Sequence, residues 1–124
     1  MAAALKLIGY WRNESHPEYP HPTSWIDENW DEDERHQVGG YFANGTLLRT
    51  FMGLSLCRIC GINNGALEYT DGVYVWPEGL AHYIYDHAVR LPQLLVDHAT
   101  AQVATLEAMA VSTDWWLAVP GPIR

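Results

Sequence analysis

Two cysteines and two histidines at metal-ligand spacing constrain this chain more than anything else in it. The pattern is Cys57-x2-Cys60, then 21 residues, then His82-x4-His87. Zinc takes four soft or borderline ligands at tetrahedral angles, and thiolate and imidazole are its usual protein donors. Two cysteines so spaced can turn both sulfurs to one side, and Gly61 directly after them suits the tight backbone of a knuckle. Asp71-Gly72, between Glu68-Tyr69-Thr70 and Val73-Tyr74-Val75-Trp76, predicts a hairpin that returns the chain toward that knuckle. Trp76-Pro77-Glu78 then opens a helix, with Pro77 at its first position, and that helix carries His82 and His87 before stopping ahead of Pro92. Knuckle, hairpin and helix are the parts of a treble-clef-like or ββα-like zinc module. The expectation is a structural zinc held by Cys57, Cys60, His82 and His87.

The fourth ligand is open at this stage. Positions five apart lie about 140° around an ideal helix, so His82 and His87 can share a metal only if the last turn is distorted. His98, on the following helix, is the rival to His87, and Asp86 is a poorer donor beside two thiolates. Other readings of Cys57 and Cys60 are a redox pair or two buried thiols. The redox reading lacks the βαβ surroundings such a motif uses. A DNA-reading finger spaces its ligand pairs by about 12 residues, so the gap here is a poor match.

The rest of the chain reads as one α+β domain over residues 1–124: a helical N-terminal half, a small antiparallel sheet, the metal helix and a C-terminal packing helix. Residues 4–11 are strand-like, and Pro17, Pro20 and Pro22 keep 13–24 irregular. Trp25 to Asn44 reads as helical in two pieces, the second starting near Asp31-Glu32-Asp33-Glu34, where negative charge favours the helix dipole. Asn44-Gly45 fits a left-handed C-cap. Thr46–Met52 and Leu54–Leu56 are β-like. Leu95, Ala99, Val103, Leu106 and Ala110 share one face of a helix over 92–110.

A resemblance joins these motifs. Cys57-Arg58-x-Cys60-Gly61, Thr70-Asp71-Gly72-x-x-Val75-Trp76-Pro77-Glu78-Gly79-Leu80-Ala81-His82-Tyr83 and His87-x-Val89-Arg90-Leu91-Pro92 resemble a module in a group of uncharacterised small bacterial proteins. The similarity spans residues 25–98. It implies that the segment recurs as a unit, and it supplies no activity.

Charge narrows the function classes. Fifteen acidic and seven basic residues give a formal charge of −8, a field that repels phosphate backbones and argues against nucleic-acid binding. No stretch approaches the ~18 apolar residues of a membrane span, and the N-terminus lacks the basic start and apolar run of a signal peptide. The expected location is cytoplasmic. Trp30-Asp31-Glu32-Asp33-Glu34 is the most interaction-like segment, suited to an Arg-rich, cationic protein partner through ion pairs and ring stacking. A solvated helix start with one buried Trp is the plainer reading.

Catalytic sets are incomplete. Glu78 beside His82 is similar to the glutamate that activates zinc-bound water, but the order is Glu-x3-His, and four protein ligands leave no open position. An HNH-like nuclease needs a histidine at the hairpin's end, where this chain has Tyr74-Val75-Trp76. His16, His21 and His36 with Asp27, Glu28 or Asp31 make a second metal-site candidate, with solvated loop residues as the default. The reading is therefore a zinc-stabilised binding module, an adaptor or acidic antidote, leaning away from enzyme. A zinc hydrolase with an open metal position and a CxxC redox protein stand as alternatives.

Overall fold

The computed structural model describes residues 3–51 and 53–122. Met52, at the end of the expected Thr46–Met52 run, lies outside it. The elements are β1 (Lys6–Leu7), α1 (Glu32–Ala43), β2 (Thr46–Thr50), β3 (Leu67–Thr70), β4 (Tyr74–Pro77), α2 (Leu80–His87), α3 (Gln93–Glu107) and α4 (Thr113–Ala118), with a 3-10 turn at Pro22–Trp25. Four strands form one sheet in the order β1-β4-β3-β2. The class is α+β, as the residue pattern implies. The sheet, however, is mixed and not purely antiparallel: β1 runs parallel to β4, pairing Lys6 with Tyr74 and Leu7 with Val75.

The expected strand over 4–11 stops at Leu7 because Gly9 turns the chain at φ +73°, against Leu80, where an added Cβ would lie 2.9 Å from a methyl group. The expected helical N-terminal half is also corrected. Pro22–Trp25 is a single 3-10 turn, and residues 26–31 are not helical. The α-helix begins at Glu32 because the Asp31 carboxylate caps it, accepting from the Glu34 N–H at 2.9 Å. It ends at Asn44 with φ −125°, so the cap is not left-handed. Gly45 serves a different need: a Cβ there would lie 2.7 Å from both Trp76 and Tyr69.

The β3–β4 hairpin forms at Asp71-Gly72, with the positive φ at Gly72 alone. Asp71 shapes the turn by accepting from the Val73 and Tyr74 N–H groups. A bulge at Leu48 breaks the β2–β3 register between Leu47 and Arg49. Pro77 closes β4 and does not open a helix, so α2 begins three residues later than expected. The side chain of Glu78 explains the delay. Its carboxylate accepts from the Ala66 N–H at 2.8 Å and the Leu67 N–H at 3.2 Å, which clamps the chain entering β3.

The core lies between sheet and helices. Trp76, Phe42, Leu80, Ile84, Val89 and Val96 are fully buried, and the Trp76 indole donates to the Phe42 carbonyl at 2.8 Å. Gly39 lets α1 approach α2, since a Cβ would lie 2.8 Å from the Tyr85 ring. On α3 the expected apolar face holds for Leu95 and Ala99, which are buried, but Leu106 is exposed, and the helix ends at Glu107, short of the expected Ala110, which is also exposed. Among the described residues no helix is long and apolar enough to cross a membrane.

Candidate metal centre

Cys57 and Cys60 sit on a tight turn between two short backbone pairings. The Cys57 N–H donates to the Ile62 carbonyl, and the Gly61 N–H returns to the Cys57 carbonyl, both at 2.9 Å. Gly61 takes φ +77°, which closes the knuckle without strain. The Ile59 N–H points at the Cys57 sulfur, 3.4 Å away. Burial pushes the Cys57 thiol up, but hydrogen bonds from Cys60 and Ile59 pull it down further, and the net shift is downward. A thiol so lowered sits closer to the thiolate form that ligates metals.

The helix supplies the other two ligands and has an irregular end. The Tyr83 carbonyl receives the N–H of Ala88 and also that of Val89, five and six residues on, and Ala88 is left-handed at φ 51°. This π-like bonding closes the helix directly after His87. The rings of His82 and His87 come to 4.9 Å between centroids, at an interplanar angle of 87°. One donor atom from each of Cys57, Cys60, His82 and His87 lies within 4.8 Å of all the others.

The donor set fits a tetrahedral ion in three further respects. His82 Nε2 lies 3.4 Å from the Cys60 sulfur. A zinc bound to both at ordinary bond lengths sets that separation at about 3.5 Å. The other nitrogen of His82, Nδ1, meets the Asp86 carboxylate at 2.6 Å, which leaves Nε2 to face the metal. His87 Nε2 is buried and has no hydrogen-bond partner. Desolvation, reinforced by the neighbouring His82, lowers the His87 pKa and favours the neutral ring that ligation needs. These four side chains could hold a metal ion.

The rival ligand lies elsewhere. His98 Nε2 bonds Asp71 at 2.7 Å, and the same carboxylate oxygen accepts from the Tyr41 hydroxyl at 2.6 Å. This group ties α1, the hairpin turn and α3 together, away from the knuckle. Glu78 is likewise committed to backbone N–H groups and is not a member of the metal cluster. His16 pairs with Glu18, His21 with Thr23, and the His36 ring packs on Tyr85. Among the described residues, Cys57, Cys60, His82 and His87 are the group arranged to hold a metal.

The predicted interaction segment divides. Trp30 is only 5% exposed, its indole donates to Glu34 at 2.8 Å, and Arg90 lies 5.6 Å over its ring. Trp30 is therefore a buried anchor whose face the chain's own arginine already covers, and it offers no ring to a partner. Asp31, Glu32 and Asp33 are exposed, while Glu34 is half-buried. Arg90 is itself held by Asp27 at 2.8 Å.

Two supporting residues escaped the residue pattern. The Asp86 contact with His82 is an i,i+4 pair visible in hindsight from spacing alone. Tyr83 accepts from the Arg58 N–H at 2.7 Å and rests against Cys57, so it braces the knuckle from the helix. No signal in the sequence marks that contact, because it joins residues 25 apart. Comparison with protein families, curated proteins and solved structures finds no match to this chain.

Proposed function

We propose that the chain is a small zinc-stabilised protein-binding module, an adaptor or antidote that meets a cationic protein. The carrying observation is that two thiols and two imidazoles converge on one point with no fifth donor among them. Zinc bound there has its tetrahedral shell filled by protein, the mark of a structural site and not of one that activates water. The knuckle, the β3–β4 hairpin and α2 follow the order of a treble-clef-like module, and the recurrence implied by the sequence resemblance fits such a unit. The position of Glu78 argues against a hydrolase, because the carboxylate that would serve as base is bonded to backbone N–H groups.

Binding a cationic protein is supported by the charge of −8 and by the exposed Asp31, Glu32 and Asp33 at the start of α1. Such a surface speeds encounter with a basic partner and loses that effect as salt rises. The test is affinity capture from the source cell, followed by association kinetics on the protein recovered. A cationic protein is expected, with association slowed by Glu32→Gln/Asp33→Asn while metal content stays unchanged. Equal association rates for variant and wild type would overturn the reading. So would turnover of an ester, peptide or phosphodiester abolished by Glu78→Gln.

A further inference from the structure

The two sulfurs of the knuckle differ in what governs attack by an oxidant. Cys57 is buried, at 3% exposure, with the Tyr83 side chain against it. Cys60 is exposed. The Cys57 sulfur accepts the Ile59 N–H at 3.4 Å and a backbone hydrogen bond from Cys60. Among the described residues no backbone N–H is directed at the Cys60 sulfur, whose neighbours are His82 Nε2 at 3.4 Å and the Cys57 sulfur. N–H groups aimed at a thiolate draw off the charge that makes it a nucleophile. The open sulfur is therefore also the more nucleophilic one. Metal ligation keeps both as thiolates. The chain has two cysteines in all, so a sulfenic acid formed on one can condense within the chain only with the other.

We propose that Cys60 is the site at which a peroxide oxidises this protein, that Cys57 is its resolving thiol, and that the disulfide they form discharges the metal. The proposal rests on the zinc reading above and adds the regulation of that site. In the first step the Cys60 sulfur attacks the peroxide: an S–O bond forms, the O–O bond breaks, and the departing hydroxide takes a proton to become water. In the second the Cys57 thiolate attacks the Cys60 sulfur: the S–S bond forms, the S–O bond breaks, and a second hydroxide leaves and is protonated. Two electrons pass from the sulfur pair to the peroxide, and zinc leaves as the divalent ion it was. The geometry permits the bond. The two sulfurs lie within 4.8 Å of each other, and the exposed Cys60 side chain can close the gap to the ~2.05 Å of a disulfide. His82 and His87 then remain, half of the shell that a structural zinc needs. The knuckle keeps its 2.7 Å bond from the Arg58 N–H to the Tyr83 hydroxyl but loses the metal that cross-links it to α2. A thiol reductant reverses the change.

The test treats the wild-type protein, its zinc first counted by elemental analysis, with hydrogen peroxide while a chromogenic indicator reads released metal. Zinc is expected to leave in step with disulfide formation. Peptide mapping without reduction should show Cys57 joined to Cys60 within one chain, and dithiothreitol with added zinc should restore the starting form. Two measurements on the zinc-loaded wild type separate the cysteines without a substitution that would itself remove a ligand. A cyclic 1,3-dione present during oxidation should label Cys60, and iodoacetamide should alkylate Cys60 more than about tenfold faster than Cys57. A protein that keeps its zinc under excess peroxide overturns the proposal and leaves the zinc reading standing. Labelling at Cys57, equal alkylation of the two, or a disulfide between chains also overturns it. A protein that carries no zinc before peroxide is added overturns the zinc reading, and the proposal with it.

Discussion

At the residue scale, the account turns on which side chains face the metal and which hold those in place. His87→Ala should release zinc, because it removes a buried nitrogen that has no other partner. His98→Ala should keep zinc, because His98 bonds Asp71 on the far side of the hairpin. Metal analysis of the two purified variants decides between them. Asp86→Asn should weaken zinc binding by about 10–100-fold, the usual cost of losing a carboxylate behind a ligating histidine. A competition assay with a chromogenic chelator would read it, and an unchanged affinity would remove Asp86 from the site. Asp71 makes a separate prediction. Burial pushes its carboxyl up, but the Tyr41 hydroxyl, the Tyr74 and Val73 N–H groups and His98 outweigh burial and lower its pKa to about 2 from an ordinary 3.8. A carboxyl lowered in the folded state stabilises the fold above its unfolded pKa, and that gain is lost as pH falls from 3.8 toward 2. The Asp71 carboxyl carbon should therefore show no NMR titration above pH 4, and an inflection above that value would contradict the network described.

At the element scale, the irregular joints carry more information than the regular spans. Glu78 bonds the chain entering β3 and fixes where α2 begins. Glu78→Ala leaves two backbone N–H groups unsatisfied and should cost on the order of 1–3 kcal/mol, read by urea denaturation, with zinc retained. Loss of zinc without loss of stability would instead place Glu78 at the metal. The hairpin, the end of α2 near Pro92 and the knuckle were legible because each is marked locally by Asp-Gly, by Pro or by paired Cys. The start of α2 was not, since Pro77-Glu78 carries a good helix-start signal that a contact with Ala66 and Leu67 overrides. The same holds for β1: its parallel pairing with β4 joins residues 68 apart in register and leaves no local mark. The five-residue histidine spacing predicted a distorted turn, but the irregular bonding to the Tyr83 carbonyl falls directly after His87, and both rings reach the cluster from within the α-helix.

At the scale of the whole molecule, the candidate metal cluster links the knuckle to the helix that packs on α1, so a metal held there should be part of the fold and not an accessory. Most of the ligand set was readable because ligand chemistry depends on residue type and spacing. The surface was less so. Trp30 sits beside four acidic residues and looks exposed in sequence, yet it is buried under Arg90, a residue 60 positions away whose approach no local pattern records. In zinc-finger peptides, structural zinc binding contributes an apparent ~10–16 kcal/mol to folding, as large as the whole stability of an ordinary domain. The most direct measurement is elemental analysis with native mass spectrometry, followed by thermal unfolding before and after chelation. The expected result is one zinc per chain, lost in Cys57→Ser and Cys60→Ser, with the cooperative transition lost alongside it. A purified protein without zinc, or a chelated or Cys57→Ser protein with an unchanged melting temperature, would contradict the account.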